Sequence, residues 1–393
     1  MTASLRGTSL IVSCVLALSA CGGGQDAAPS DAQQTASPAP EPAAATPAPA
    51  AMAQPDAQMQ AVLDQLAALG AKPLESLTPE QARTQPTPAD AVGAVLKAQG
   101  KPTAPEDVAS VKDSSFPGPA GPVPIRIYTP KGEGPMPVVL YIHGGGWVIA
   151  DLDTYDASAR ALANLSNAIV VSTHYRQAPE HPFPAAHEDT LAAYKWLLAN
   201  AASIGGDPKR IALVGESAGG NMAANIALAA RDQKLQAPLA QVLVYPVAGN
   251  DTNTASYVEN ANAKPLGKAG MEWFISHVFK APEQAKDPRI NLVDRTDLAG
   301  VAPATVILAQ IDPLRSEGQA YADALKSAGV PVTVQQYDAV THEFFGMGAV
   351  IDKAKQAQEF AASKLREAFG SGSAPATPAE GAEGEAPAAA PGS

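Results

Sequence analysis

Cysteine is nearly absent: of 393 residues, Cys14 and Cys21 alone carry a thiol, and both lie in the first 21 positions. No disulfide can brace the rest of the chain, and a structural zinc site has no thiolates to draw on. Positive charge is scarce as well. The 27 Lys and Arg stand against 39 Asp and Glu, a formal net charge of −12, and no basic block is present. Binding to a nucleic-acid backbone therefore has no source of counterion-release energy. The sequence has no H-E-x-x-H motif, its glycines form neither a P-loop nor a dinucleotide fingerprint, and no fixed-period repeat is visible. No metal, cofactor or nucleic-acid partner is implied.

What is present is a large apolar fraction, 46% of residues, enough for at least one sizeable core. At the N-terminus Arg6, the apolar run "LIVSCVLALSA" over 10–20 and the small residues before Cys21 read as a signal peptide over 1–20. That run is too short to span a bilayer, which takes about 20 residues. Leu18-Ser19-Ala20-Cys21 resembles a bacterial lipoprotein lipobox. The resemblance implies that Cys21 is lipidated and that the chain is anchored to the membrane of a bacterial cell envelope without a transmembrane helix. Gly22 in place of an aspartate implies the outer membrane. Residues 21–57 read as an Ala/Pro-rich linker and 370–393 as a disordered tail, since neither contains a run able to form a core.

Between them, over 58–369, apolar runs alternate with helical patterns, which argues for an α/β fold with a mostly parallel central sheet flanked by helices. The runs are 122–130, 136–144, 168–175, 210–216, 241–247, 304–310 and 331–337; clear helical patterns occupy 187–204, 218–233 and 313–329. Two segments fall outside the alternation, 58–106 and 251–290. They are candidates for a helical cap over one sheet edge, or for peripheral packing.

Gly215-Glu216-Ser217-Ala218-Gly219 matches G-x-S-x-G directly after one strand-like run and directly before a helical pattern. That setting suits a sharp strand-to-helix turn with an exposed serine. A serine hydroxyl needs a base, normally a histidine oriented by a carboxylate. In this topology the order is serine, acid, histidine. Only His277 and His342 follow Ser217; His277 lies in the amphipathic "MEWFISHVF", whereas His342 follows the last apolar run, so His342 is the candidate base. Asp312 and Asp338 both follow strand-like runs and are the candidate acids, with Asp312 placed beside the base by a parallel sheet. The glycine-rich stretch His143-Gly144-Gly145-Gly146-Trp147 follows another run and offers backbone amides to a developing oxyanion.

"HGGGW", "GESAGG", "DPLRSEG" and "THEFF", with "HYRQAPEHPFPAAHED" between them, resemble the bacterial hormone-sensitive-lipase-like esterases of the α/β-hydrolase fold over about 105–368. The resemblance implies Ser217 as nucleophile, Asp312 and His342 as its partners, and the amides of Gly145, Gly146 and Ala218 as the oxyanion hole. It also implies a cap built from 58–106 and 251–290. Three residues depart from the family pattern: Glu216 where aspartate is frequent, Gln177 where leucine is usual, and Glu343 where the residue after the histidine is commonly small. The expected activity is that of a serine carboxylesterase acting on small-molecule esters of short to medium chain length. Deacylation of acyl-polysaccharides or xenobiotics would use the same groups, and a non-catalytic binding module is the alternative from another class. No motif indicates an oligomeric state.

Overall fold

The computed structural model describes residues 51–370. The signal segment, Cys21, most of the linker and the tail beyond 370 lie outside the described residues. All seven apolar runs form strands: β2 (Gly121–Thr129), β3 (Met136–Ile142), β4 (Ile169–Thr173), β5 (Gly206–Glu216), β6 (Gln241–Val244), β7 (Ala304–Ile311) and β8 (Val332–Thr341). An eighth, β1 (Ser110–Gly118), was not marked by any apolar run. The order across the sheet is β1-β2-β4-β3-β5-β6-β7-β8. β2 runs antiparallel to both neighbours, and every pairing from β4 through β8 is parallel.

The central strands read as unbroken apolar runs because both faces of the sheet are covered. Alternation along each strand divides their side chains between two cores. Val138, Leu140, Ile142, Leu213, Leu243 and Val306 face one, and Val139, Tyr141, Val214, Val242, Val244 and Ile307 face the other. The helices are numbered in chain order. On the first face lie α5 (Ala185–Asn200), α6 (Ala218–Asp232) and α9 (Arg315–Ser327); on the second lie α4 (Asp156–Ser166) and α10 (Asp352–Ala368).

The segments outside the alternation form α1 (Ala57–Ala68), α2 (Pro79–Thr84), α3 (Pro88–Ala98), α7 (Ala255–Glu259) and α8 (Lys268–Val278). Their boundaries are local. Thr78 and Thr87 cap α2 and α3 in reciprocal capping boxes with Gln81 and Asp90, and proline opens each helix. These segments contribute side chains to both cores. Met59, Val62, Ala91 and Val95 from α1 and α3 enter the second core, while α8 joins the turn before α2 through the Trp273 indole N–H, which donates to the Leu77 carbonyl at 2.9 Å. The ordered domain begins before residue 58. Asp56 caps α1, its amide donates to the Ala339 carbonyl at 2.9 Å, and its carboxylate meets Lys353 at 2.9 Å.

Arg83 fastens α2 to the body of the protein. Its guanidinium donates to the carbonyls of Val148 at 2.8 Å and Ala178 at 2.7 Å and pairs with both oxygens of Glu180. Arg83→Ala leaves two part-buried carbonyls without donors, and should lower unfolding free energy by about 1–3 kcal/mol. Glu180→Ala removes only a half-exposed ion pair, worth about 0.2–1 kcal/mol. Urea unfolding of the two variants should rank them in that order.

Candidate active site

Four candidate segments meet because each follows the carboxyl end of a parallel strand, the edge at which α/β sheets present their loops. The 143–147 stretch follows β3, Ser217 follows β5, Asp312 follows β7 and His342 follows β8. At Ser217 the turn is tight. Its backbone has φ 56° and ψ −119°, a region that costs a non-glycine residue on the order of 1–3 kcal/mol unless its surroundings impose it. Here they do: the Ser217 amide donates to the Val244 carbonyl at 2.9 Å, and its own carbonyl accepts from Val247 and Asn221, each at 3.2 Å. The flanking glycines are required by contact. A β-carbon on Gly215 would sit 2.1 Å from the Gly219 carbonyl oxygen, and one on Gly219 would sit 2.0 Å from that of Ile142.

The base and acid are brought level by a bulge. β7 and β8 pair Ala309 with Tyr337 and then Ile311 with Thr341, so β8 carries two extra residues across that step. Ala339, inside the bulge, has φ 56°, and its amide is held by the Gln310 side chain at 2.8 Å. The shift sets Thr341 opposite Ile311, which makes the next residues, His342 and Asp312, neighbours. His342 Nδ1 lies 2.7 Å from Asp312 Oδ2, and His342 Nε2 lies 3.0 Å from Ser217 Oγ. Asp312 Oδ1 accepts the Leu314 amide at 2.8 Å. Asp312, His342 and Ser217 are all buried. The other candidate acid, Asp338, sits in the bulge, exposed, with its carboxylate on Gln336. His277 lies on α8 with Nδ1 on the Trp273 carbonyl at 2.8 Å.

The glycine loop closes over the serine. A β-carbon on Gly144 would lie 3.1 Å from the Ser217 β-carbon, and one on Gly146 would enter the Phe274 ring. The loop's carbonyls are turned into the protein. Gly144 O accepts from Tyr175 Oη at 2.7 Å and from His143 Nδ1 at 2.9 Å; Gly145 O accepts the amides of Val148 and Ile149. In a trans peptide the N–H points opposite to the C=O, so the amides of Gly145 and Gly146 face away from those acceptors. Ala218 opens α6, where helical amides have no intrahelical partner. Beneath the loop, His143 Nε2 accepts from His174 Nδ1 at 3.0 Å. Burial, aided by the neighbouring His174, drives the His143 pKa down to about 3, so its ring stays neutral.

Ser217, His342, Gly145 and Gly146 line one cavity of about 850 Å³, whose apolar wall includes Leu63 and Leu66 of α1, Leu74, and Met271 and Phe274 of α8. A family model described as α/β hydrolase fold matches residues 139–346. The carboxylic ester hydrolase LipN of Mycobacterium tuberculosis is 40% identical over 243 residues, 60% of this chain and 65% of that one. An ethyl acetate hydrolase of Pseudomonas putida is 34% identical over 289 residues, 72% of this chain and 88% of that one. The solved structure of a hyperthermophilic esterase from Pyrobaculum calidifontis superposes with a TM-score of 0.73 at 34% identity, covering 80% of this chain and 99% of that one. This chain belongs to the α/β-hydrolase family.

Gln177, Glu216 and Glu343, the three residues set apart in the sequence analysis, are all built into the site. Gln177 lines the cavity and donates to the carbonyls of Ile149 and Ala150, each at 2.8 Å, tying down the end of the glycine loop. Glu216 is buried behind Ser217, between the hydroxyls of Tyr141 and Tyr245, each at 2.5 Å. Burial and the charge of Glu343 push its pKa up to about 7 against those two donors. Glu343 takes the Tyr155 hydroxyl on both oxygens, at 2.8 and 2.7 Å, and reaches to 3.7 Å from His342 Nε2. Burial raises its pKa too, opposed by His342 and by the Tyr155 hydrogen bond. Sequence reasoning missed Tyr141, Tyr155 and Tyr245, which are too far apart in the chain to form a motif.

For His342 burial opposes protonation, but the Asp312 carboxylate, through its charge and hydrogen bond, together with Glu343 and Glu216, outweighs it and raises the pKa. Only a neutral imidazole can accept a proton, so activity falls as pH drops through that raised value. The acid limb of kcat/KM should therefore lie above the pH of ~6.5 at which a free imidazole titrates. Glu343→Gln removes one of the charges holding the proton and should move the limb to lower pH. Pre-equilibrated pH–rate profiles check both statements; an unmoved limb in the variant contradicts them.

Proposed function

We propose that this α/β hydrolase is a serine carboxylesterase acting on small-molecule esters of short to medium acyl length. The observation that carries the proposal is the buried chain Ser217 Oγ, His342 Nε2, His342 Nδ1, Asp312 Oδ2, with contacts of 3.0 and 2.7 Å. Ester hydrolysis by its relatives supports it. His342 takes the Ser217 proton as Oγ attacks the ester carbonyl, and Asp312 holds the ring in the tautomer that leaves Nε2 free to accept. The amides of Gly145, Gly146 and Ala218 receive the oxyanion, a task for which each donor is typically worth on the order of 10²–10³ in rate. His342 then returns its proton to the leaving alcohol, and water hydrolyses the acyl-enzyme by the reverse sequence. The apolar cavity walls suit an acyl chain.

The same proposal includes tethering by a lipid on Cys21 to a bacterial outer membrane. Its support is the lipobox-like sequence, which lies outside the described residues. Membrane fractionation checks this part: the full-length chain should sediment with membranes and Cys21→Ala should be released. Retention of the variant would refute lipid anchoring while leaving the esterase proposal intact.

Nitrophenyl esters from acetyl to dodecanoyl, assayed with wild type and Ser217→Ala, test the chemistry. The variant should lose a factor on the order of 10⁵–10⁶ in kcat, and the wild-type chain-length optimum should fall below decanoyl. Equal rates in the two proteins would refute the serine mechanism.

A further inference from the structure

Glu343 stands immediately after the base, and its conformation is not free. Its backbone has φ 72° and ψ 2°, the left-handed region in which a non-glycine residue is disfavoured by roughly 1–2 kcal/mol and glycine is not. A charged side chain is kept at a position where glycine would relieve the backbone. The Tyr155 hydroxyl pins that side chain at 2.8 and 2.7 Å, and Tyr155 is itself buried.

The carboxylate is directed at the reacting centre. Glu343 lines the same cavity as Ser217 and His342, its side chain is 21% exposed, and Oε1 lies 3.7 Å from His342 Nε2, the nitrogen that also faces Ser217 Oγ. Among the described residues its ion-pair contact is with His342, and no Lys or Arg neutralises it. An ionised carboxylate offers about four acceptor positions, and Tyr155 can donate a single proton. Acceptor capacity remains on the cavity side.

We propose that Glu343 positions the water that hydrolyses the acyl-enzyme; this rests on the esterase proposal above. Once Ser217 is acylated its hydroxyl proton is gone, and Nε2 of neutral His342 is an acceptor for an incoming nucleophile. Water can donate one hydrogen to Nε2 and the other to Glu343 Oε1, and the two contacts together aim its oxygen at the acyl carbonyl. The water oxygen forms the new C–O bond and its first proton moves to Nε2. As the tetrahedral intermediate collapses, the bond between the acyl carbon and Ser217 Oγ breaks, the proton passes from Nε2 to Oγ, and the carboxylic acid departs. Glu343 keeps its protonation state throughout. An alcohol has one O–H and cannot make both contacts, so Glu343 favours water over alcohols as the acyl acceptor. It is a positioning residue for deacylation, with no corresponding contact required when the ester first acylates Ser217.

The test is the partition of the acyl-enzyme between water and methanol. Nitrophenyl butyrate is supplied at fixed methanol concentration, well above the pH of the acid limb, so that His342 is neutral in every variant. In Glu343→Ala the ratio of methyl butyrate to butyric acid should rise about tenfold over wild type, and kcat should fall by a larger factor than kcat/KM, which reports only the steps through acylation. Where deacylation limits turnover, kcat and KM fall together. Glu343→Gln, which keeps the volume and one carbonyl oxygen shared with Tyr155, should move the ratio in the same direction by a smaller factor, and is read alone should the alanine variant fail to fold. An unchanged product ratio, or a kcat/KM that falls as far as kcat, would overturn the positioning role. Either result leaves the esterase proposal standing, since that proposal fails only if Ser217→Ala remains active.

Discussion

The contact on which the site depends is the one between His342 and Asp312, two buried groups 2.7 Å apart at the ends of adjacent parallel strands. A carboxylate sealed from water is costly unless its lone pairs are used. Here the Leu314 amide takes one oxygen and the imidazole the other. The pairing in turn requires the register shift in β8, because two fewer residues after Tyr337 would leave His342 below the level of Asp312. Several distant features converge on that shift: the Gln310 side chain holds Ala339 from β7, the Asp56 amide holds it from the entry to α1, and Lys353 donates to the Asp338 carbonyl from α10. The entry to α1 is thus fastened to the strand that carries the base.

The second constraint is electrostatic. Three carboxylates, Asp312, Glu216 and Glu343, act on one imidazole, and all three favour its protonated form. The transition state forms an imidazolium, and the negative charge around it stabilises that ion; Glu216, whose pKa is pushed up to about 7, adds to this field at higher pH and loses its charge as the solution turns mildly acidic. Among the described residues, Glu216 and Glu343 are held by tyrosine hydroxyls and by no Lys or Arg. Hydroxyl donors satisfy the oxygens while leaving the field of the carboxylates at the histidine largely intact. A Lys or Arg in their place would cancel it.

Much of this architecture was legible from the chain. Strands covered on both faces, β3 to β7, announce themselves as apolar runs, and β2 and β8, which keep exposed positions, still carry enough Val, Ile and Tyr to be marked. β1 was not, because Phe116 is its one buried side chain in a segment that is otherwise exposed and mostly polar. α4 and α10 are not among the helical patterns named from the chain, although their buried residues repeat at helical spacing, as in Ala159, Leu162, Ala163, Ala354, Ala357 and Ala361. The glycine loop, Ser217, Asp312 and His342 were legible because each sits at a strand end, where topology restricts the partners. The bulge was not: "VTVQQYDAVT" contains nothing that distinguishes a strand followed by a loop from a strand with two extra residues. Nor could the chain reveal that Tyr155 would reach Glu343, 188 residues away.

The most direct measurement is peptide mass spectrometry after reaction with a nitrophenyl alkylphosphonate, which arrests a serine hydrolase at a covalent tetrahedral adduct. The expected result is one adduct per chain, on Ser217, formed in step with loss of esterase activity and greatly slowed in His342→Ala. An adduct on another residue with Ser217 unmodified, or full esterase activity after Ser217 has been modified, would contradict the proposed catalytic centre.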